Sequence, residues 1–271
     1  RWISRPDHPH TARVIANLIW LHLFGQGIVR TPDDFGVYGE KPTHPELLDH
    51  LASRLVTEHG WSMKSLIRDI VLPRTYQLSS LEPEGIKAVD PGNLWLTHHL
   101  RRRLDAESLR DTVLSASGQL NRNPGEGSLI RHLDVLVNHA GNLHEPSNHR
   151  SIYLCRLRNS PPPELAAFDL PQAIKVTGKR NQTVLPTQAL FLLNSPFVVE
   201  QSRHLAAGLE DRDHRAEEKV KSLWRDILNR DPSATELSDA LYLVENIQPS
   251  TDSWPALAQS ILASNEFRYV E

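Results

Sequence analysis

Apolar residues recurring at helical spacing, in short runs cut by prolines and capping residues, constrain the fold of this chain more than any other feature. Residues 11–24 (TARVIANLIWLHLF) are apolar nearly all round, which predicts a buried helix, and Gly25 is placed to end it. The Gly- and Pro-rich stretch from Gly25 to Pro45 is too irregular for a regular element. Thr43 and Glu46 have the spacing of a capping box, with Pro45 in the first turn. The helix they open buries Leu47, Leu48, Leu51, Ala52 and Leu55. Ser62 caps a further helix carrying Leu66, Ile67, Ile70 and Val71, stopped by Pro73. From Asp105 another helix sets Leu109, Val113, Leu114, Ser117 and Leu120 on one face. Beyond Pro161-Pro162-Pro163, helices are expected over 187–208, 214–229, 233–246 and 254–263, with Pro186, Pro232 and Pro255 at or near their starts. In the first of these, Leu190, Leu193, Phe197, Val198 and Leu205 are expected in the core.

The middle differs. Residues 121–149 hold Gly, Asn and spaced histidines and read as loop, with one strand near Leu133–Val137. Arg150 to Arg158 (RSIYLCRLR) predicts a strand, since Ile152, Tyr153 and Leu154 favour the pleat, with Cys155 buried in its middle. The expected fold is a mainly α, multi-helix globular domain with a small β element in the middle of the chain. Its parts are an N-terminal helical part (1–121), a loop and short-strand segment (122–160) and a C-terminal helical part (161–271), together one compact domain.

Composition excludes several classes. Thirty Lys and Arg against thirty-three Asp and Glu leave a formal charge of −3, without the basic excess of a nucleic-acid binder. Hydrophobic residues at 39% and charged residues at 23% exclude a disordered tail. The most apolar stretch, Leu18 to Phe24, is far short of the ~20 residues of a membrane span. Cys155 is the single cysteine, so neither an internal disulfide nor covalent haem attachment through C-x-x-C-H is available. The chain starts at Arg1 and its one methionine is Met63, which suggests a piece of something longer.

Three groups of residues could carry chemistry. His22, Asp34, Glu40 and His44 are candidates for catalysis as acid/base groups, with Asp33 and Glu46 nearby in sequence. Asp34, Glu40 and His44 are also candidate ligands for a divalent metal, the one cofactor this chemistry suggests. The structural alternative is that the acids order a glycine-rich loop by accepting backbone N–H bonds. Arg150, Arg158, Arg180 and Gln188 are candidates for binding an anion, because guanidinium offers a planar fork of donors. Here the alternative is an ion-pair network closed by Asp169. Lastly, His132, His139, His144 and His149 are spaced through a polar segment, where imidazoles are more often solvated than metal-bound.

Several ordered stretches carry a family resemblance. The first is Asn17, Trp20, His22, Phe24, Gly25, Gly27, Ile28 and Val29, followed by Asp34-Phe35-Gly36, Gly39-Glu40, Pro42 and His44 to Asp49. Arg102-Arg103-Leu104, Ala106-Glu107, Arg110-Asp111 and Ser117-Gly118 come next. Then follow Arg150 to Tyr153, Arg158-Asn159, Phe168-Asp169, Arg180, Thr183, Pro186, Gln188 to Leu190, Leu193-Asn194 and Asn265 to Phe267. Together these resemble the planctomycete-type C-terminal domain of unknown function numbered 1553. The resemblance implies an exported, periplasmic or cell-surface location in a large bacterial envelope protein. It also implies neighbouring domains in the same polypeptide, often including a cytochrome-c-like haem domain, and no established activity. The leading expectation is therefore a helical module that docks to neighbouring domains or binds an anionic ligand. Competing expectations are a metal-assisted hydrolase of extracellular polymer and a non-haem accessory partner of a cytochrome-c-like domain.

Overall fold

A computed structural model describes residues 2–3, 5, 7–125, 144–157, 160–172, 176–210, 215–246 and 253–270. The chain is mainly α, and the one sheet among the described residues has two strands. It divides into two compact units, one of residues up to Arg102 with Thr177–Lys179, the other of Arg103–Val176 with Arg180–Val270. No described helix is long and apolar enough to cross a membrane.

The first unit packs α1 (Thr11–Phe24), α2 (Pro45–Thr57) and α3 (Met63–Val71) against one another, followed by the short α4 (Ile86–Val89). Gly25 ends α1 in the left-handed conformation (φ 80°), donating its N–H to Leu21 O at 2.8 Å. Ser62 Oγ accepts from Ser65 N at 3.3 Å and starts α3. Leu55, Leu66 and Ile28 are fully buried here, each stabilising the unit by about 2–3 kcal/mol. Trp20 stacks on Phe24 with ring centroids 4.1 Å apart. Two expectations are corrected. No capping box opens α2: its cap is His44, without a side-chain cap bond. Thr43 sits one residue too early because its N–H is tied to Ile28 O at 2.9 Å. Ile67, expected on the buried face of α3, is exposed, since α1 and α2 cover only the Leu66 and Ile70 side.

In the second unit α5 (Ala106–Ala116) is capped by Asp105, whose Oδ1 accepts from Ser108 N at 2.8 Å. The short α6 (Pro163–Ala166) is followed by α7 (Pro186–Asn194), α8 (Pro196–Glu210), α9 (Ala216–Leu228), α10 (Ala234–Asn246) and α11 (Ser253–Leu262). Leu109, Leu165, Leu192, Leu223, Ile261 and Leu262 belong to one core cluster. The sheet is β1 (Arg102–Arg103) with β2 (Tyr269–Val270), and beside it Leu104 N donates to Arg268 O at 2.8 Å. The single helix expected over 187–208 is two helices. Ser195 precedes Pro196, whose ring drives it out of the helical region to ψ 127°.

The strand expected over Arg150–Arg158 is corrected too. Ser151–Tyr153 forms one 3-10 turn, and the described residues after it are irregular. Asp111 Oδ1 accepts from both Ser151 N (2.8 Å) and Ser151 Oγ (2.7 Å), so the backbone bends around a carboxylate instead of pairing with a strand. Cys155 is half-buried in this irregular stretch. The strand expected near Leu133–Val137 lies outside the described residues, as do His132 and His139.

An acid-sensitive clamp closes the second unit. Arg230 donates to Glu236 (2.9 and 2.7 Å) and to Glu266 (2.6 and 2.6 Å), and Ser233 N donates to Glu236 Oε2 at 2.7 Å. Arg230 foremost, helped by Ser233, lowers the Glu236 carboxyl from 4.5 to about 2. A carboxyl depressed on folding stabilises fully above its unfolded value, and that stabilisation is lost as pH falls from about 4.5 toward 2. The pair is about one-third exposed and screened, so the effect is ~1 kcal/mol. Glu236→Gln should make the unfolding free energy, followed by circular dichroism, less dependent on pH in that window. An unchanged slope would show that the clamp does not couple to folding.

Candidate functional site

In the first unit, Asn17 at the centre of α1 organises the segment that follows. Its Oδ1 accepts from Val29 N (2.8 Å) and its Nδ2 donates to Val29 O (3.0 Å), with the side chain fully buried. Gly27 is required there, because a Cβ would stand 2.9 Å from the Asn17 carboxamide and closer still to Val29 O. Thr31 Oγ1 then donates to Asp34 O (3.0 Å) and accepts from Glu40 N (2.9 Å). Asp34 Oδ1 accepts from Gly36 N at 2.7 Å, and Asp33 Oδ2 accepts from Gly178 N at 3.0 Å. These carboxylates order the loop through backbone N–H groups.

His22 is exposed, and its carbonyl accepts from the Arg102 guanidinium. Glu40 is exposed. His44 Nδ1 lies 3.0 Å from Thr43 Oγ1. Among the described residues no hydrogen bond or ion pair joins any two of the His22, Asp34, Glu40 and His44 side chains. Nor is any described group of three or more His, Cys, Asp or Glu placed to hold a metal ion.

His44 does line a cleft. Trp20, Phe24, Ile28 and Leu96 supply apolar walls, and Arg30 and His98 stand among the polar ones. The far wall is a tight bend in which Asp90, itself buried, accepts from Leu94 N and Trp95 N, both at 2.8 Å. Asn93 has φ 45°, takes Thr97 N on its Oδ1 at 2.9 Å and donates to His98 O at 2.8 Å. Arg30 and Asn93 carry no site signal of their own in the sequence. The signal that points there is Asp90-Pro91-Gly92-Asn93, a run of turn formers.

In the second unit the arginines expected to bind an anion meet carboxylates. Arg180 makes two bonds to Glu107, one of them at 3.0 Å, and this pairing raises its already high pKa. Arg150 Nε lies 3.7 Å from Asp111 Oδ2. Arg158 lies outside the described residues. Gln188 is buried, its Nε2 3.5 Å from Thr183 Oγ1 and its Oε1 3.4 Å from Leu185 N. Two further arginines, missed as site residues, tie this unit together. Arg110 is buried and donates to Ser147 O, to His149 O (2.9 Å) and to Ser151 Oγ (3.2 Å), while burial pushes its pKa down. Arg103 donates to Thr183 O and to Asp169 Oδ2 (3.4 Å) beneath the Phe168 ring. His144 Nε2 is bonded to Ser160 O at 2.6 Å, and His149 Nδ1 to Asn123 O at 2.8 Å.

The Gln188 tie has a consequence for α7. Gln188 and Leu192 face inward, so Leu190 and Leu193 face outward, 56% and 53% exposed, continuing Val184 (75%) and Leu185 (50%). Both leucines were expected in the core, where Leu192 packs instead. At its other end α7 is held by Gln259 Nε2, which donates to Leu192 O (3.1 Å) and Leu193 O (2.8 Å). The apolar face is therefore presented by a helix pinned at both ends.

Compared with known proteins, residues 1–244 of the chain's 271, about nine-tenths of it, match a family model described as PSD1, protein of unknown function (DUF1553). No curated protein and no solved structure matches the chain.

Proposed function

This chain belongs to the PSD1 family of proteins of unknown function (DUF1553), and from that premise we propose that it is a docking module. One observation carries the reading: α7 buries Leu192 and Gln188 yet leaves Leu190 and Leu193 exposed, so apolar side chains stand on its open face as well. Leu190 and Leu193 lie one turn apart on that open face, and apolar side chains exposed on one helix face mark an interaction surface. The occupant is a neighbouring domain of the same larger polypeptide, in the exported or cell-surface setting of the family, with a haem domain as one such neighbour. Ion pairing of Arg180 with Glu107 favours docking over anion capture at the arginine constellation.

Hydrogen exchange on the chain alone and on the full natural polypeptide tests this. Protection of Leu190 and Leu193 amides should increase in the full polypeptide. Leu190→Asp with Leu193→Asp should abolish that increase while leaving the isolated chain's stability within ~0.5 kcal/mol, as expected at exposed positions. Equal exchange in both contexts would refute the reading, and protection that grows with concentration of the isolated chain would assign the face to a second copy instead.

A further inference from the structure

We infer that the cleft of the first unit, which the docking role does not use, is a binding site for a small carboxylate with a short apolar body. Its lining contains no acidic side chain but does contain Arg30, His44 and His98. Arg30 is exposed, and no carboxylate among the described residues pairs with it. Its Nη2 lies over Gly92, where an added Cβ would come within 3.3 Å. A glycine at this place therefore leaves room for the guanidinium on the bend. Each histidine has Nδ1 engaged by a threonine hydroxyl, at 3.0 Å for His44 with Thr43 and 3.2 Å for His98 with Thr97, which restrains the rings. Guanidinium and imidazole N–H groups supply the donors a carboxylate accepts, and the guanidinium fork matches its two oxygens.

The walls select the rest of the ligand. Trp20, Phe24, Ile28 and Leu96 form an apolar surface beside these donors, which suits a few methylene or methyl groups better than a fully hydrated ion. The enclosed part of the cleft is about 30 Å3, room for about two waters, so it takes one end of a small ligand and does not enclose a nucleotide or sugar polymer.

The test is titration of the 15N-labelled chain with propionate, propionamide and inorganic phosphate at constant ionic strength, followed by NMR. Propionate should saturably shift the Gly92 amide and the Trp20 indole, and Arg30→Gln should weaken that binding at least fivefold with peaks far from the cleft unmoved. Phosphate competing for the same resonances supports recognition of the anionic head. The inference is overturned if propionate gives no saturable shift, if propionamide matches it, if Arg30→Gln binds it equally, or if phosphate binds while propionate does not.

Discussion

Asp169→Ala lowers the stability of the second unit by about 2–4 kcal/mol, because it removes the acceptor of three hydrogen bonds and the partner of a largely buried guanidinium. Asp169 adopts a left-handed backbone (φ 55°), which aspartate tolerates better than alanine. Its Oδ1 accepts from Thr183 Oγ1 at 2.6 Å, and its Oδ2 from Thr183 N at 2.9 Å and Arg103 Nη1 at 3.4 Å. The Arg103 side chain is only 6% exposed, so without the carboxylate a guanidinium stays buried with carbonyl oxygen as its remaining acceptor. Asp169→Asn keeps the shape and part of the hydrogen bonding, and should cost about half as much. Urea unfolding, with amide exchange of α8 as the local reporter, measures both. A loss under ~1 kcal/mol for Asp169→Ala would show that water replaces the carboxylate and that the network is incidental.

Asn17→Leu should destabilise the first unit by about 3 kcal/mol, because it leaves both polar groups of the Val29 backbone buried without partners. Leucine is larger than asparagine, so overpacking against Gly27 adds to the loss of the two hydrogen bonds and no cavity forms. Amide exchange of α1 and α2 should rise while that of α8 and α11 stays near wild type, since the substitution sits in one compact unit. Loss of protection throughout both units would instead show that they unfold together. The Gly27 backbone should also move, because its close approach to the Asn17 carboxamide exists only to complete this tie.

Local chemistry was legible along much of the chain. Gly25, Ser62 and Asp105 mark helix ends through bonds that reach only three or four residues, and each does what its side chain and spacing predict. Identical spacing also misled. Ser233 and Glu236 form a reciprocal cap, with Ser233 N donating to Glu236 Oε2 and Glu236 N to Ser233 Oγ, whereas Thr43 and Glu46 do not. The difference is non-local: Thr43 is held by Ile28, fifteen residues away. At Arg150–Arg158, β-favouring side chains lost to Asp111, a carboxylate forty residues distant. The break at Pro196 is readable from the proline itself, although Phe197 and Val198 continue the apolar period across it.

The candidate residues divide in the same way. Aspartates in a glycine-rich loop ordering backbone N–H groups was one of the two readings open from residue type, and Asp33 and Asp34 do so. Nothing in spacing told that Arg103, Asp169, Thr183 and Gln188 meet, because they come from separate segments.

By itself the sequence determined that the chain is mainly helical, where most helices begin and end, and its family, since caps, proline and apolar period act within a turn or two. Only the tertiary structure decided which face of α7 is buried. An apolar period states that a helix has a face, while burial depends on what packs against it; Leu192 packs into the core with Gln188 beside it, which leaves Leu190 and Leu193 outside.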